Sequence, residues 1–132
     1  EFGYEMYLHC GAIRKVLLAY QSPSFIDEYL KNVIVHDRAF PQVCPDVLRT
    51  ELTKIRQCGY AITQGDYVND AIGIGAPVFN SEGELACSIG IIAPNIRIET
   101  DAQLNRQLKS VLHFAGELSS DLGFVPSGPS VA

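Results

Sequence analysis

The sequence predicts an α+β domain in which an antiparallel sheet is flanked by helices. Three observations carry that prediction. Apolar residues recur at helical spacing up to Gly59. Period-two and continuous apolar runs bounded by turn residues fill positions 60–94. Helical spacing then returns between Thr100 and Leu122.

The first helix is expected over roughly Gly11 to Tyr20, where Ile13, Val16, Leu17 and Tyr20 share one face. Ser22-Pro23 reads as the N-cap and first turn of a second helix, with Ile26, Tyr29, Leu30 and Val33 as its buried stripe. Residues 34–44 read as a loop around Phe40-Pro41. A third helix is expected from Pro45 to Cys58. Leu48, Leu52 and Ile55 form its apolar face, and Gly59 is the left-handed residue that ends it. Tyr60–Thr63, Ile72–Phe79 and Glu84–Ile92 read as strands. Asn80-Ser-Glu-Gly83 joins the last two as a hairpin connection, and Pro94 closes the third. Thr100 and Gln103 form a capping box at the head of the last helix. Its Leu104, Leu108, Val111, Ala115, Leu118 and Leu122 are expected to make one buried face, and Gly123 to stop it. The chain thus divides into a domain over 1–124 and a flexible tail over 125–132.

Composition narrows the function. A chain of 132 residues suits one domain, and 47% hydrophobic residues exclude a disordered chain. The formal net charge of −5 argues against nucleic-acid binding by this segment, because phosphate contacts need clustered Lys and Arg. No apolar run approaches the roughly 20 residues of a membrane span, so no membrane partner is expected. The opening residues carry no secretory signal. Cys10, Cys44, Cys58 and Cys87 contain no C-x-x-C pair and read as reduced thiols of a cytoplasmic protein.

Candidate chemistry is sparse. Gly73-Ile-Gly75-Ala-Pro77 lacks the spacing and the following helix of a nucleotide loop. Glycines inside a strand signal either close backbone packing or room for a ligand. His9, His36, His113 and the cysteines lack the paired spacing of a metal site, so no metal or cofactor is expected. His113 is expected to be partly exposed or capped. Arg14 and Lys15 sit in the first turn of the first helix, where the helix dipole is positive and two cations are unfavourable. Either both extend into solvent or an anion on the free amides of that turn relieves the conflict. Tyr67, Asn69 and Asp70 could form a polar rim after the Gln64-Gly65-Asp66 turn.

Several segments together resemble the effector domain of the IclR family of bacterial transcription regulators. Leu8-His-Cys-Gly-Ala-Ile-Arg-Lys-Val-Leu-Leu-Ala-Tyr20 is similar to that family's L-H-A-x-A-x-G-K-A-L-L-A-Y. Leu48-Arg-Thr-Glu-Leu-Thr-Lys-Ile-Arg-Gln-Cys-Gly-Tyr60 resembles L-x-x-E-L-x-x-I-R-x-x-G-Y, and Asp66-Tyr67 the acidic-Tyr pair that follows. Ile74-Gly-Ala-Pro-Val-Phe-Asn-Ser-Glu-Gly83 resembles I-A-A-P-V-F-D-x-x-G, and Ile89 to Pro94 the S-x-S-G-P strand end.

The resemblance implies a GAF-like or profilin-like fold that binds a small organic effector, a cytoplasmic dimer or tetramer, and DNA contact only through an N-terminal winged helix-turn-helix. That domain and the first strands of the sensor are expected to lie outside this sequence. No catalysis is implied. Effector contacts carry over to Gly11, Ala12 and Ile13 at the first helix start, and to Thr63, Tyr67, Gly73, Gly90 and Ile92. Thr63 stands where the family has an acid, Gly73 where it has Cys or a similar polar residue, and Gly90 and Ile92 where it has Ser. Arg14 replaces a family glycine. These departures point to a roomier, less polar cavity and to an aromatic or bulkier organic acid. The first helix and the loop 63–72 are the expected moving parts. The alternatives are a GAF-like module for a cyclic nucleotide or other cofactor, and a Cys-dependent hydrolase.

Overall fold

The computed structural model describes residues 7–36, 43–65 and 69–126. Helix α1 spans Ala12–Ala19 and is entered through Gly11, whose φ of 90° and ψ of 151° suit glycine alone. Helix α2 spans Pro23–Glu28, and the Ser22 hydroxyl accepts the Phe25 N–H at 3.2 Å as its cap. The chain then winds on as a π-helix, Tyr29–His36, into the stretch expected to be a loop. The continuation has a reason: it buries Ile34 one turn beyond Leu30 in the same core. Residues 37–42, with Phe40-Pro41, lie outside the described residues. Helix α3 spans Pro45–Cys58 and ends, as expected, at Gly59 in the left-handed region. There the Gly59 N–H donates to the Ile55 carbonyl at 2.8 Å.

Strands β1 (Ala61–Gln64), β2 (Ala71–Phe79) and β3 (Leu85–Pro94) pair antiparallel in chain order. The β2–β3 connection works as read: Asn80 Oδ1 accepts the N–H groups of Glu82 and Glu84, and Gly83 takes a φ of 77°. Register sets Thr63 beside Gly73 and Gly73 beside Ile92; the next same-facing row is Ala61, Gly75 and Gly90. Strand side chains alternate faces, so these two rows share one face with Pro77 and Ser88. The other face carries Ile72, Ile74, Ala76 and Val78 with Ile89, Ile91 and Ala93. It packs on Val111 and Ala115 of helix α4, Asp101–Asp121.

A second core lies across the sheet, where Val16, Leu18, Leu30, Leu48, Leu52 and Ile55 pack together. Helix α1 sits between the sheet and α3, so it is buried on more than the one face expected; Leu18 is fully buried while Leu17 is only partly so. The capping box of Thr100 and Gln103 forms as read. The buried stripe of α4 does not run to its end: Leu118 and Leu122 are 41% and 47% exposed, and Ser119 is buried instead. After Ala115 it is Ser119 that meets the sheet, at the end of β2. Its hydroxyl accepts the Phe79 N–H at 3.0 Å and donates to the Ala115 carbonyl at 2.8 Å.

His113 is exposed and pairs with Glu117 at 3.1 Å. No disulfide joins the four cysteines, and Cys10 is buried. Among the described residues, no helix is long and apolar enough to cross a membrane. Of the expected tail, Val125 is exposed and residues 127–132 lie outside the described residues.

Candidate functional site

The first turn of α1 rests on a floor of glycines. A Cβ on Gly75 would stand 2.9 Å from the Ala12 carbonyl carbon and 3.0 Å from the Ile13 nitrogen. One on Gly73 would stand 2.9 Å from Thr63 Oγ1 and 3.3 Å from the Ala12 Cβ. One on Gly90 would overlap the Ile74 carbonyl and come within 2.9 Å of Ile13 Cγ1. Glycine here is therefore the close-packing kind: it lets helix backbone approach sheet backbone. The expectation of a roomier hollow at Gly73 and Gly90 is corrected accordingly, because α1 occupies the space that side chains there would take.

Polar groups gather where α1 begins. The Ser88 hydroxyl donates to the Ile13 carbonyl at 3.0 Å and ties β3 to the helix. Gly11 offers no side-chain cap. The first ladder bond within α1 runs from the Lys15 N–H to the Gly11 carbonyl at 3.0 Å. The amides of Ala12 and Ile13 precede it and have no acceptor within the helix. Thr63 is only 8% exposed. Its Oγ1 and the Ala12 nitrogen lie 2.9 and 3.7 Å from the same point beside Gly73. A hydroxyl and a helix-end amide thus converge at the positive end of a dipole.

The two cations of that turn do not both extend into solvent. Lys15 is buried, with its side chain 7% exposed, and its Nζ lies 2.7 Å from Glu51 Oε1 on α3. Arg14 turns back and donates to the Cys10 carbonyl at 2.9 Å. Each cation is answered by protein oxygen. The segment leading into α1 is also held. His9 is buried with Nδ1 2.9 Å from the Tyr29 hydroxyl, and its ring lies 5.4 Å from that of Tyr7. Burial raises the Tyr29 hydroxyl above its usual value of 10, against backbone hydrogen bonds from His9 and Leu8 that lower it.

The structure brings Gly11, Ala12, Ile13, Thr63, Gly73 and Gly90 together. Ile92 continues the Thr63–Gly73 row but is 55% exposed. Tyr67 and Asp66 lie outside the described residues. Of the expected polar rim, Asn69 and Asp70 are exposed, and Asp70 takes a left-handed φ of 60° while its carbonyl accepts the Asn95 N–H at 2.8 Å. Sequence reasoning missed Ser88 and the Lys15–Glu51 pair. Ser88 was within reach, since period two places it on the face of Gly90 and Ile92. The ion pair was not, because nothing local joins residues 36 positions apart.

Fold and site define an α+β domain, with a three-stranded sheet between two helical layers and its first helix seated on backbone. Residues 1–120 match the family model described as bacterial transcriptional regulator IclR C-terminal. The chain belongs to this family. It is 31% identical over 113 residues to the HTH-type transcriptional regulator BhcR of Paracoccus denitrificans, covering 85% of this chain and 40% of that protein. It is 32% identical over 129 residues to the HTH-type transcriptional repressor AllR of Klebsiella pneumoniae, covering 94% of this chain and 46% of that protein. The crystal structure of the Thermotoga maritima IclR superposes with a TM-score of 0.78 at 26% identity, over 94% of this chain and 50% of that one. These neighbours share the expected GAF-like α+β fold. The relatives named here are regulators of transcription, none an enzyme. The chain spans less than half the length of these two curated relatives.

Proposed function

We propose that this chain is the effector-sensing part of a transcription regulator, holding a small organic acid by its carboxylate at the first turn of α1. The observation that carries the reading is the convergence of the uncapped Ala12 amide with the Thr63 hydroxyl beside Gly73. Free amides and the positive end of a helix dipole suit an anion. The cations nearby are already engaged, so the site favours a single carboxylate over a polyphosphate. Gly11, Ala12 and Ile13 would supply backbone donors and Thr63 a hydroxyl. Gly73, Gly90 and Ile92 supply no polar side chain, and the exposed Ile92 offers apolar surface, which favours an acid with an aromatic body over a small hydroxy- or keto-acid.

Regulation needs a difference in effector affinity between two states of the protein. Helix α1 is suited to report it: it touches β2 and β3 on one side and, through Lys15–Glu51, α3 on the other. A small shift of its first turn would pass to α3, to contacts between copies in a dimer or tetramer, and so to the spacing of winged helix-turn-helix domains elsewhere in a cytoplasmic regulator.

Thermal unfolding with benzoate, phenylacetate, glyoxylate and pyruvate tests the reading. Phenylacetate or benzoate at saturating concentration should raise the midpoint by roughly 3 °C or more, and Thr63→Val should cut the gain. No stabilisation by any acid contradicts the carboxylate site. Stabilisation by glyoxylate alone contradicts the preference for an aromatic body.

A further inference from the structure

We propose that the cleft between the C-terminal end of α1, the far half of β2 and α4 is a second small-molecule site, one that takes a neutral planar aromatic molecule. The cleft holds about 410 Å³, in the range of ligand pockets. It exists because β1 is short. Its pairing with β2 reaches only as far as Gly75, so Ala76 to Phe79 run on without a strand partner on that side among the described residues. This stretch does not invite another strand: Pro77 has no N–H, and the Phe79 N–H is already taken by Ser119 Oγ.

The walls specify the ligand. Phe79 stands 5.4 Å from the Tyr20 ring at 74° and 5.1 Å from the Phe124 ring at 37°. Tilted and edge-on rings at these separations are the geometry in which a further ring adds favourably. Arg56 lies over the Tyr20 ring at 5.7 Å and braces it from behind. Burial raises the Tyr20 hydroxyl above its usual value, with Arg56 pulling the other way, so this wall carries no charge at neutral pH. Among the described residues, no Asp, Glu, Lys, Arg or His lines the cleft, so an ionic ligand would find no counter-charge from them.

Gly116 is the second sign. It sits inside α4, where glycine is a poorer helix former than alanine. No positive φ requires it, and nothing lies within 4 Å of the Cβ it would carry. The glycine therefore serves neither a turn nor a close approach. It keeps one wall of the cleft open.

Indole is the probe. Titrated into the whole chain, it should shift the backbone amides of Ala76, Leu112, Gly116 and Ser120 in a saturable way. Gly116→Leu should weaken binding by about tenfold or more while its melting temperature stays at or above that of the parent. Gly116→Ala, which any helix accepts, should fall between and keeps the test alive if leucine disturbs folding. Four results would overturn the site: no saturable shift, unchanged affinity in both variants, shifts gathered at Ala12 and Thr63 instead, or the same amides moving with protein concentration alone, which would make the cleft a contact between copies.

Discussion

The two faces of one sheet are built on opposite terms. Toward α4, Ile72, Ile74, Ala76 and Val78 mesh with Val111 and Ala115, and stability comes from buried apolar area. Toward α1, the same strands present Gly73, Gly75 and Gly90, and helix backbone lies on strand backbone. That face gives up side-chain area. In return the first turn of α1 is placed beside Thr63 and Ser88 with little freedom to drift. One face holds the domain together; the other holds one helix end in position.

This contrast can be broken at its sharpest point. Gly90→Val should be the most damaging change, costing about 4 kcal/mol or abolishing folding, because the added carbons meet the Ile74 carbonyl and Ile13 with backbone on both sides. Denaturant unfolding would read it, and a wild-type midpoint would show that α1 is not seated as described. On the other face, Ile74→Ala should cost about 3 kcal/mol through lost area and a cavity. It should leave effector response intact, which separates the two faces by readout as well as by size. Ser119→Ala should cost only about 1 kcal/mol, by leaving the Phe79 N–H without its acceptor. A loss as large as that of Ile74→Ala would mean that the polar end of α4 carries more of the core than its packing indicates.

What the sequence disclosed follows from how local each signal is. Helix α3 was legible because Pro45, the Leu48–Leu52–Ile55 stripe and Gly59 all agree within one stretch. The β2–β3 hairpin and the Thr100 cap were legible for the same reason. The end of α4 was misread because its burial there is set by the Ser119 bond to Phe79, 40 positions away, which leaves no mark on the apolar spacing of the helix itself. The site was half legible. Glycine in a strand signals close approach, and a helix start signals free amides, but neither says that the two meet. Lys15 illustrates the limit: its partner Glu51 is set by packing of α1 on α3, and no spacing in the chain announces it.

The central claim is that the α1 first turn, set on the glycine floor, is where an effector acid is held. Backbone amide shift mapping with phenylacetate tests it most directly. The Ala12 and Ile13 amides should move earliest and furthest, with Thr63 and Ile92 following on the same binding curve. Saturable shifts elsewhere that leave Ala12 and Ile13 unmoved would contradict it.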